Sequence, residues 1–414
     1  MGETRWGRPM GEARGGVPFC GFCGLMRGAG KGWGMHTRDI LEKLIGFETV
    51  SVLPNRALID WVRDLLAGAG ITSVVIPDAM GHKANLYAST GPGAGVMLSG
   101  HTDVVPVDGQ AWTKPPFALT EADGRYYGRG VCDMKGFVAS ALSAMLTAAH
   151  RPLRTPLHLA LSYDEEVGCI GVASLIDMLA ASPVKPMMCI VGEPTGMQVA
   201  TGHKGKIGMR AIFTGREGHS ALAPMAVNAL HMGADFIGAV RALQARIEAG
   251  GARDGDYDVP YSTLHVGRMN GGTALNIVPN LCTVDYEVRN LAEDDPHLLL
   301  AELHAAAAQI VAATGAAEAG VSYAQLMAYP GLGTPTDAQV VRFVKSLTGA
   351  NGTIKVAYGT EGGLFSARLA IPTVICGPGS MSQGHKPDEW VTIEQMDRCD
   401  AMLAALTDRL QAGL

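Results

Sequence analysis

A chain of 414 residues exceeds one ordinary hydrophobic core, so two domains, or one domain carrying a large insertion, are expected. It is 47% hydrophobic, 17% charged and 6% aromatic, a globular balance, and its 33 basic and 39 acidic residues leave a formal charge of −6 without a long basic run. That argues against nucleic acid and against a membrane as partners, and no apolar stretch reaches the roughly 20 residues of a membrane-spanning helix.

Residues 1–34 hold eleven glycines and five Lys/Arg with little periodicity, the composition of a flexible N-terminal extension. Cys20-Gly-Phe-Cys23 has zinc-ligand spacing, but no second pair accompanies it and no metal site is expected there. Helical periodicity begins at "HTRDILEKLIGF", directly after Met35, which is a candidate natural start. The eight cysteines are scattered, and Cys189 and Cys376 sit inside apolar runs. Buried free thiols in a reducing cytoplasm explain this better than a disulfide framework.

Further along, apolar runs end repeatedly in polar chemistry. Val96-Met97-Leu98 reads as a buried strand leading into "SGHTDVVPV". In "YYGRGVCDMKGFVASALSAMLTAAH" Asp133 precedes a helix that opens on Gly136. A strand Leu157–Ser162 runs into Asp164-Glu165-Glu166, a strand Met188–Val191 into Glu193, and a strand Thr373–Cys376 into a loop with His385. Strands alternating with helices predict an α/β fold, a mostly parallel sheet with helices on both faces. In such sheets ligands collect beyond the carboxyl ends of the strands.

That rule groups His101, Asp103, Asp133, Glu165, Glu166, Glu193 and His385. Two imidazoles and several carboxylates, with no thiolate, suit a pair of Zn²⁺, Co²⁺ or Mn²⁺ ions. Each acid taken singly serves as well as a helix cap. Converging together, with few basic residues beside them, they call for metal as counter-charge. Asp103, two residues after His101, is placed to accept the other ring N–H and set the tautomer.

Between Lys206 and Gln325 the pattern reads strand (Ile207–Phe213), helix (227–249), strand (Ser262–Val266), strand (Cys282–Arg289), helix (Pro296–Thr314), strand (Val321–Gln325). This β-α-β-β-α-β order is the ferredoxin-like signature.

Five ordered motifs, "SGHTDVVPV", "GRGVCDMKG", "SYDEEVG", "VGEPT" and "GHKPDEW", resemble those of the di-zinc amidohydrolase and metallopeptidase family. That family includes acetylornithine deacetylase, succinyl-diaminopimelate desuccinylase, aminoacylase and the glutamate carboxypeptidases, and the resemblance runs from Met35 to the end. It implies a catalytic domain in two parts, 35–205 and 326–414, around an inserted dimerisation domain, 206–325. It implies that His101 and Glu193 hold one ion, Glu166 and His385 the other, that Asp133 bridges both, and that a cis peptide follows Asp133. Glu165 is then the general base and acid, and Asp103 orients His101. "GREGHSALAPMAVNAL" matches the segment whose histidine, here His219, reaches the partner subunit's site in a homodimer. "GGTALNIVPNLCTVDYEVR" matches the segment supplying Asn276 and Arg289 for a substrate carboxylate, a task the planar guanidinium suits.

The implied reaction is hydrolysis of an N-acyl amino acid, N-acetylornithine first, with two Zn²⁺ per chain. "VGEPT", "TGHKGK" and "YGTEGGLF" resemble the acetylornithine enzymes, and Glu361 is placed to face a substrate ammonium. A desuccinylase tends to carry an arginine in the loop where this chain has "GGLF" with Leu364. Desuccinylation, other N-acyl-amino-acid hydrolysis and di- or tripeptide hydrolysis are the alternatives. A non-catalytic binding protein on the same fold would not need Glu165 beside a full ligand set.

Overall fold

The computed structural model describes residues 35–414, so the segment 1–34 with its Cys20–Cys23 pair lies outside the described residues. Four strands form the parallel centre of a large sheet. Val96–His101 pairs with Leu157–Ser162 on one side and Met188–Pro194 on the other, and Thr373–Gly377 adds to Met188–Pro194. All four are buried along their whole length, as strands covered on both faces must be. The flanks are antiparallel. Ala84–Ser89 and Ser73–Pro77 extend one edge, Ala200–His203 and Leu332–Gly333 the other, and Ile354–Val356 joins Ala200–His203 in parallel. Among the described residues the sheet has nine strands and is mixed, with the parallel order confined to its centre.

Strand alternation divides the core. Leu98, Ile190 and Val374 face a cluster shared with the helices Thr37–Ile45, Lys135–Ala149 and Ile393–Ala412. Met97, Cys189 and Ile375 face the helices Ala173–Ala181 and Gly362–Leu369. The "GGLF" segment read as a loop therefore begins a helix, with Leu364 packed on this second core and Glu361 at the helix start. Contact between sheet and helix is close enough to require glycine. A Cβ on Gly192 would lie 1.9 Å from the ring of Phe137. Lys135, wholly buried, donates to Leu44 O (3.1 Å) and Phe47 O (2.8 Å), closing the end of the first helix. Burial pushes its ammonium down to about 7.

The chain leaves this sheet after His203 and returns at Leu332. Between them lie Lys206–Thr214, the helix Ala229–Gly250, Thr263–Gly271, Leu281–Arg289, the helix Pro296–Ala313 and Gly320–Tyr329. The four strands form an antiparallel sheet in the order Thr263–Gly271, Leu281–Arg289, Lys206–Thr214, Gly320–Tyr329. Phe213, Phe236 and Tyr286 centre a separate core, with ring centroids 5.5 and 5.2 Å apart. The last strand runs four residues past the expected end at Gln325, because it stays paired as far as Tyr329 with Lys206. The six described cysteines (Cys132, Cys169, Cys189, Cys282, Cys376 and Cys399) are free and buried. No helix among the described residues is long and apolar enough to cross a membrane.

Candidate metal centre

Each candidate ligand follows a strand of the parallel centre or sits in a loop beside it. His101 ends its strand, Glu193 lies near the end of Met188–Pro194, Glu166 follows Leu157–Ser162, and His385 comes from the loop after Thr373–Gly377. Asp133 lies just before the helix Lys135–Ala149, and its peptide bond to Met134 is cis. Two ligand groups result, His101/Asp133/Glu193 and Asp133/Glu166/His385, each with its ligand atoms within 4.8 Å of one another.

Asp133 belongs to both groups through different oxygens. Its Oδ1 is 3.0 Å from His101 Nε2, and its Oδ2 is 3.1 Å from His385 Nε2. His101 Nε2 is also 3.7 Å from Glu193 Oε1, and His385 Nε2 is 3.0 Å from Glu166 Oε2. His385 and Asp164 adopt left-handed backbone at φ 58° and 56°, conformations costing about 1–3 kcal/mol each that cluster at functional sites.

The acids are held out of water. Burial first, and then the neighbouring Asp133, pushes Glu166 up to about 7 and Glu193 well above the carboxylate range. Burial likewise raises Glu165, which lies half-buried beside them. Burial opposes charge on His101, yet hydrogen bonds to Asp103 and Asp133 carry its pKa well above the ordinary imidazole value. Hydrogen bonds to Asp133 and Glu166 raise His385 to about 10.

The nearby cations are committed elsewhere, Lys83 to Asp164 (2.5 Å) and Arg129 to Glu389 (2.6 Å). Glu166 Oε1 is buried without a hydrogen-bond partner. A set of imidazole nitrogens and carboxylate oxygens, one oxygen unpartnered and one carboxylate shared, fits a pair of borderline divalent ions.

Asp103 does less for the His101 ring than its spacing predicts, and more for the acidic turn. The nearest acceptor to His101 Nδ1 is the main-chain carbonyl of Asp103, at 2.9 Å, with the carboxylate at 3.5 Å. That carboxylate accepts instead from Ser51 Oγ (2.7 Å), Glu165 N (3.1 Å) and Glu166 N (3.3 Å). It therefore orients the Glu165-Glu166 turn, while the carbonyl holds the ring with Nε2 toward Asp133. Glu165 Oε1 accepts from the Cys169 thiol at 3.2 Å.

None of the remaining candidates belongs to either ligand group. Glu361 is buried, with Oε2 3.5 Å from Ser99 Oγ and Oε1 unpartnered, and burial lifts it to about 7. Arg289 donates to Tyr329 Oη and to Glu287, each at 3.0 Å. His219 and Asn276 are exposed on the inserted unit; His219 Nδ1 accepts from Ala221 N and touches none of the ligands. Arg129, Glu389, Ser51 and Tyr329 were not singled out from the sequence. Arg129 and Glu389 stand inside the quoted motifs, but a buried charge pair has no local signature.

A carboxylate-bridged pair of ligand sites at the carboxyl edge of a mixed sheet, with a four-stranded insertion, defines a metallohydrolase class. The profile of the peptidase family M20/M25/M40 matches residues 97–409, and the chain belongs to that family. It is similar to the acetylornithine deacetylase of Klebsiella pneumoniae (strain 342), 35% identical over 337 residues, covering 81% of this chain and 84% of that protein. It is likewise similar to the acetylornithine deacetylase of Myxococcus xanthus, 34% identical over 374 residues, covering 89% and 95%. Among solved structures it is similar to an M20 family metallo-carboxypeptidase from Sulfolobus solfataricus, with TM-score 0.71 and 20% identity over 91% of this chain and 99% of that one.

Protonation of the candidate ligands predicts how the metal-free protein responds to pH. Glu166 titrates above its ordinary 4.5 and His385 above its ordinary 6.5. Between those values and the folded ones these groups, together with the raised Glu165, Glu193 and His101, hold more protons in the folded chain than in the unfolded one. They outweigh buried Lys135, whose lowered value acts the other way, so stability falls as pH rises. The unfolding temperature of chelator-treated protein should drop from about pH 5 to about pH 9, and the gain on adding Zn²⁺ should grow over that range. Thermal scans with and without chelator check this; a metal-free unfolding temperature that rises with pH contradicts it.

Proposed function

We propose that this chain hydrolyses the amide bond of N-acyl amino acids, N-acetylornithine foremost, with two divalent ions held by His101/Glu193 and Glu166/His385 and shared by Asp133. The observation that carries the reading is Glu165, a carboxylate beside both ligand groups that belongs to neither. Its raised pKa keeps it a competent proton acceptor and, once protonated, a competent donor. When bound, the ions supply Lewis-acid polarisation of the acyl carbonyl and a lowered pKa for water. Glu165 takes the proton of the attacking water and delivers it to the departing amine nitrogen. No covalent acyl intermediate is needed.

Substrate recognition is assigned to Arg289 and Glu361. Arg289, braced by Tyr329 and Glu287, offers its guanidinium to the α-carboxylate. Glu361, a buried acid with one unpartnered oxygen, suits a cationic side chain such as that of ornithine. The curated relatives named acetylornithine deacetylase support this choice.

His219 is proposed to act across a homodimer. It stands among exposed apolar residues, Leu222, Met225, Leu275 and Ile277, a surface suited to burial against a second copy. Asn276 adjoins it, its carbonyl accepting from Ser220 N at 3.0 Å.

Four outcomes follow from this reading. Glu165→Gln should leave metal content intact and lower kcat by about 100- to 10,000-fold, whereas Glu166→Gln should weaken one metal site; equal metal loss in both variants overturns the assignment. Metal-loaded protein assayed on N-acetylornithine, N-succinyl-diaminopimelate and a dipeptide panel should prefer the first. Glu361→Gln should penalise N-acetylornithine more than neutral N-acetylmethionine, and an equal penalty removes Glu361 from substrate recognition. Mixing inactive Glu165→Gln chains with His219→Ala chains should restore about half of wild-type activity per heterodimer, since removing such a donor costs about 100- to 1,000-fold. No recovery in demonstrated heterodimers refutes action across the interface.

A further inference from the structure

One buried ion pair touches both halves of the metal centre without contributing a ligand. Arg129 and Glu389 are each 1% exposed and meet at 2.6 Å. The second Glu389 oxygen accepts from three amides of one turn, Gly130 N (3.1 Å), Cys132 N (2.9 Å) and Asp133 N (3.1 Å). The backbone of the shared ligand is thus pinned by one carboxylate. The turn admits no side chain at Gly130, where φ is +87° and a Cβ would lie 2.8 Å from Val104 Cγ1.

Arg129 reaches the other way. Its Nη2 donates to Gln110 Oε1 at 2.6 Å, and Gln110 Nε2 donates to the His385 carbonyl at 3.1 Å. Its Nη1 also lies 3.5 Å from Lys386 O, and its guanidinium rests 5.0 Å from the ring centre of Trp112. The loop that presents His385 therefore hangs from the same pair that pins Asp133.

We infer that Arg129 and Glu389 are positioning residues that set the separation of the two metal sites by clamping the Asp133 turn and the His385 loop to each other. This rests on the two-ion reading above. A carboxylate serving two ions must keep both oxygens directed, and its side chain is too short to correct an error in its backbone. Groups that orient ligands in this way typically contribute 10- to 100-fold to metal affinity, by about that range when removed.

The pair and the bridge make separable predictions. Glu389→Gln keeps an oxygen for the three amides but turns an NH₂ group toward Arg129, so the clamp opens. Both ions should then bind about 10- to 100-fold more weakly, because both depend on Asp133. Gln110→Ala removes the link to the His385 carbonyl and an acceptor of Arg129 Nη2 and Trp112 Nε1, but leaves the Arg129–Glu389 contact and the amides of the Asp133 turn in place. The Glu166/His385 ion should therefore weaken more than the other, and this half-exposed residue can change without threatening the fold. Titration with Co²⁺, followed by its visible absorption, reads the two affinities and their coordination spectra, and thermal unfolding of the metal-free forms reads stability separately. A merely structural pair would lower the metal-free unfolding temperature and leave both affinities of the folded protein unchanged. That result, or a loss confined to one ion in folded Glu389→Gln, overturns the inference. If Glu389→Gln does not fold, Gln110→Ala decides, and equal or absent effects on the two ions reject the clamp. Wild-type protein that binds no pair of ions would instead defeat the two-ion reading itself.

Discussion

The site turns on the two oxygens of Asp133, one facing His101 and the other His385. Around it Glu166 and Glu193 complete two groups, with Glu165 alongside. Two like charges about 4 Å apart at an effective dielectric of about 20 repel by roughly 4 kcal/mol, so this gathering of acids is unfavourable unless cations or protons accompany it. In the bare chain protons do so, which is why Glu166 and Glu193 hold theirs so far above the carboxylate range. On the two-ion reading proposed above, divalent ions would replace those protons and the same acids would become ligands.

The scaffold answers that demand with stiffness. Four parallel strands buried on both faces deliver their carboxyl ends to one edge, where His101 and Glu193 need no flexible reach. The candidate ligands that come from loops are tied down by charged partners. Asp103 receives the amides of Glu165 and Glu166, and Glu389 receives those of Gly130, Cys132 and Asp133. A carboxylate accepting several backbone N–H groups is among the stronger ways to fix a turn. The inserted unit keeps its own core around Phe236. Arg289 is joined by Tyr329, at the end of the returning strand, to the region of Gly359, whose Cβ would strike the Tyr329 ring.

The five candidate ligands stand out in the sequence because each sits in a local context that carries its chemistry. His101 follows "VMLSG", Glu193 follows "CIVG", and Asp133 stands between a glycine-bearing turn and a helix. Burial on both faces leaves a continuous apolar run, and the polar residue that breaks it marks the strand's end. Glu361 shows the limit of such reading. Its motif placed it near the site, yet only the packing of the helix Gly362–Leu369 on the sheet explains its burial beside Ser99. Asp103 is similar: spacing put it next to His101, but the ring prefers its carbonyl, because the turn brings the carboxylate under Glu165 and Glu166 instead.

The sequence by itself determined the strand and helix periods, the order of the motifs and the chemical kind of the donor set. Those depend on residues close in the chain and on side-chain type, and both are written locally. The tertiary structure alone decided which Asp133 oxygen faces which imidazole, that Arg129 meets Glu389 across 260 positions, and that Gln110 holds a carbonyl 275 residues away. No local pattern encodes these pairings. They exist because the sheet brings distant strand ends together, and an isolated charge in that interior is stable only where a partner has been brought to meet it.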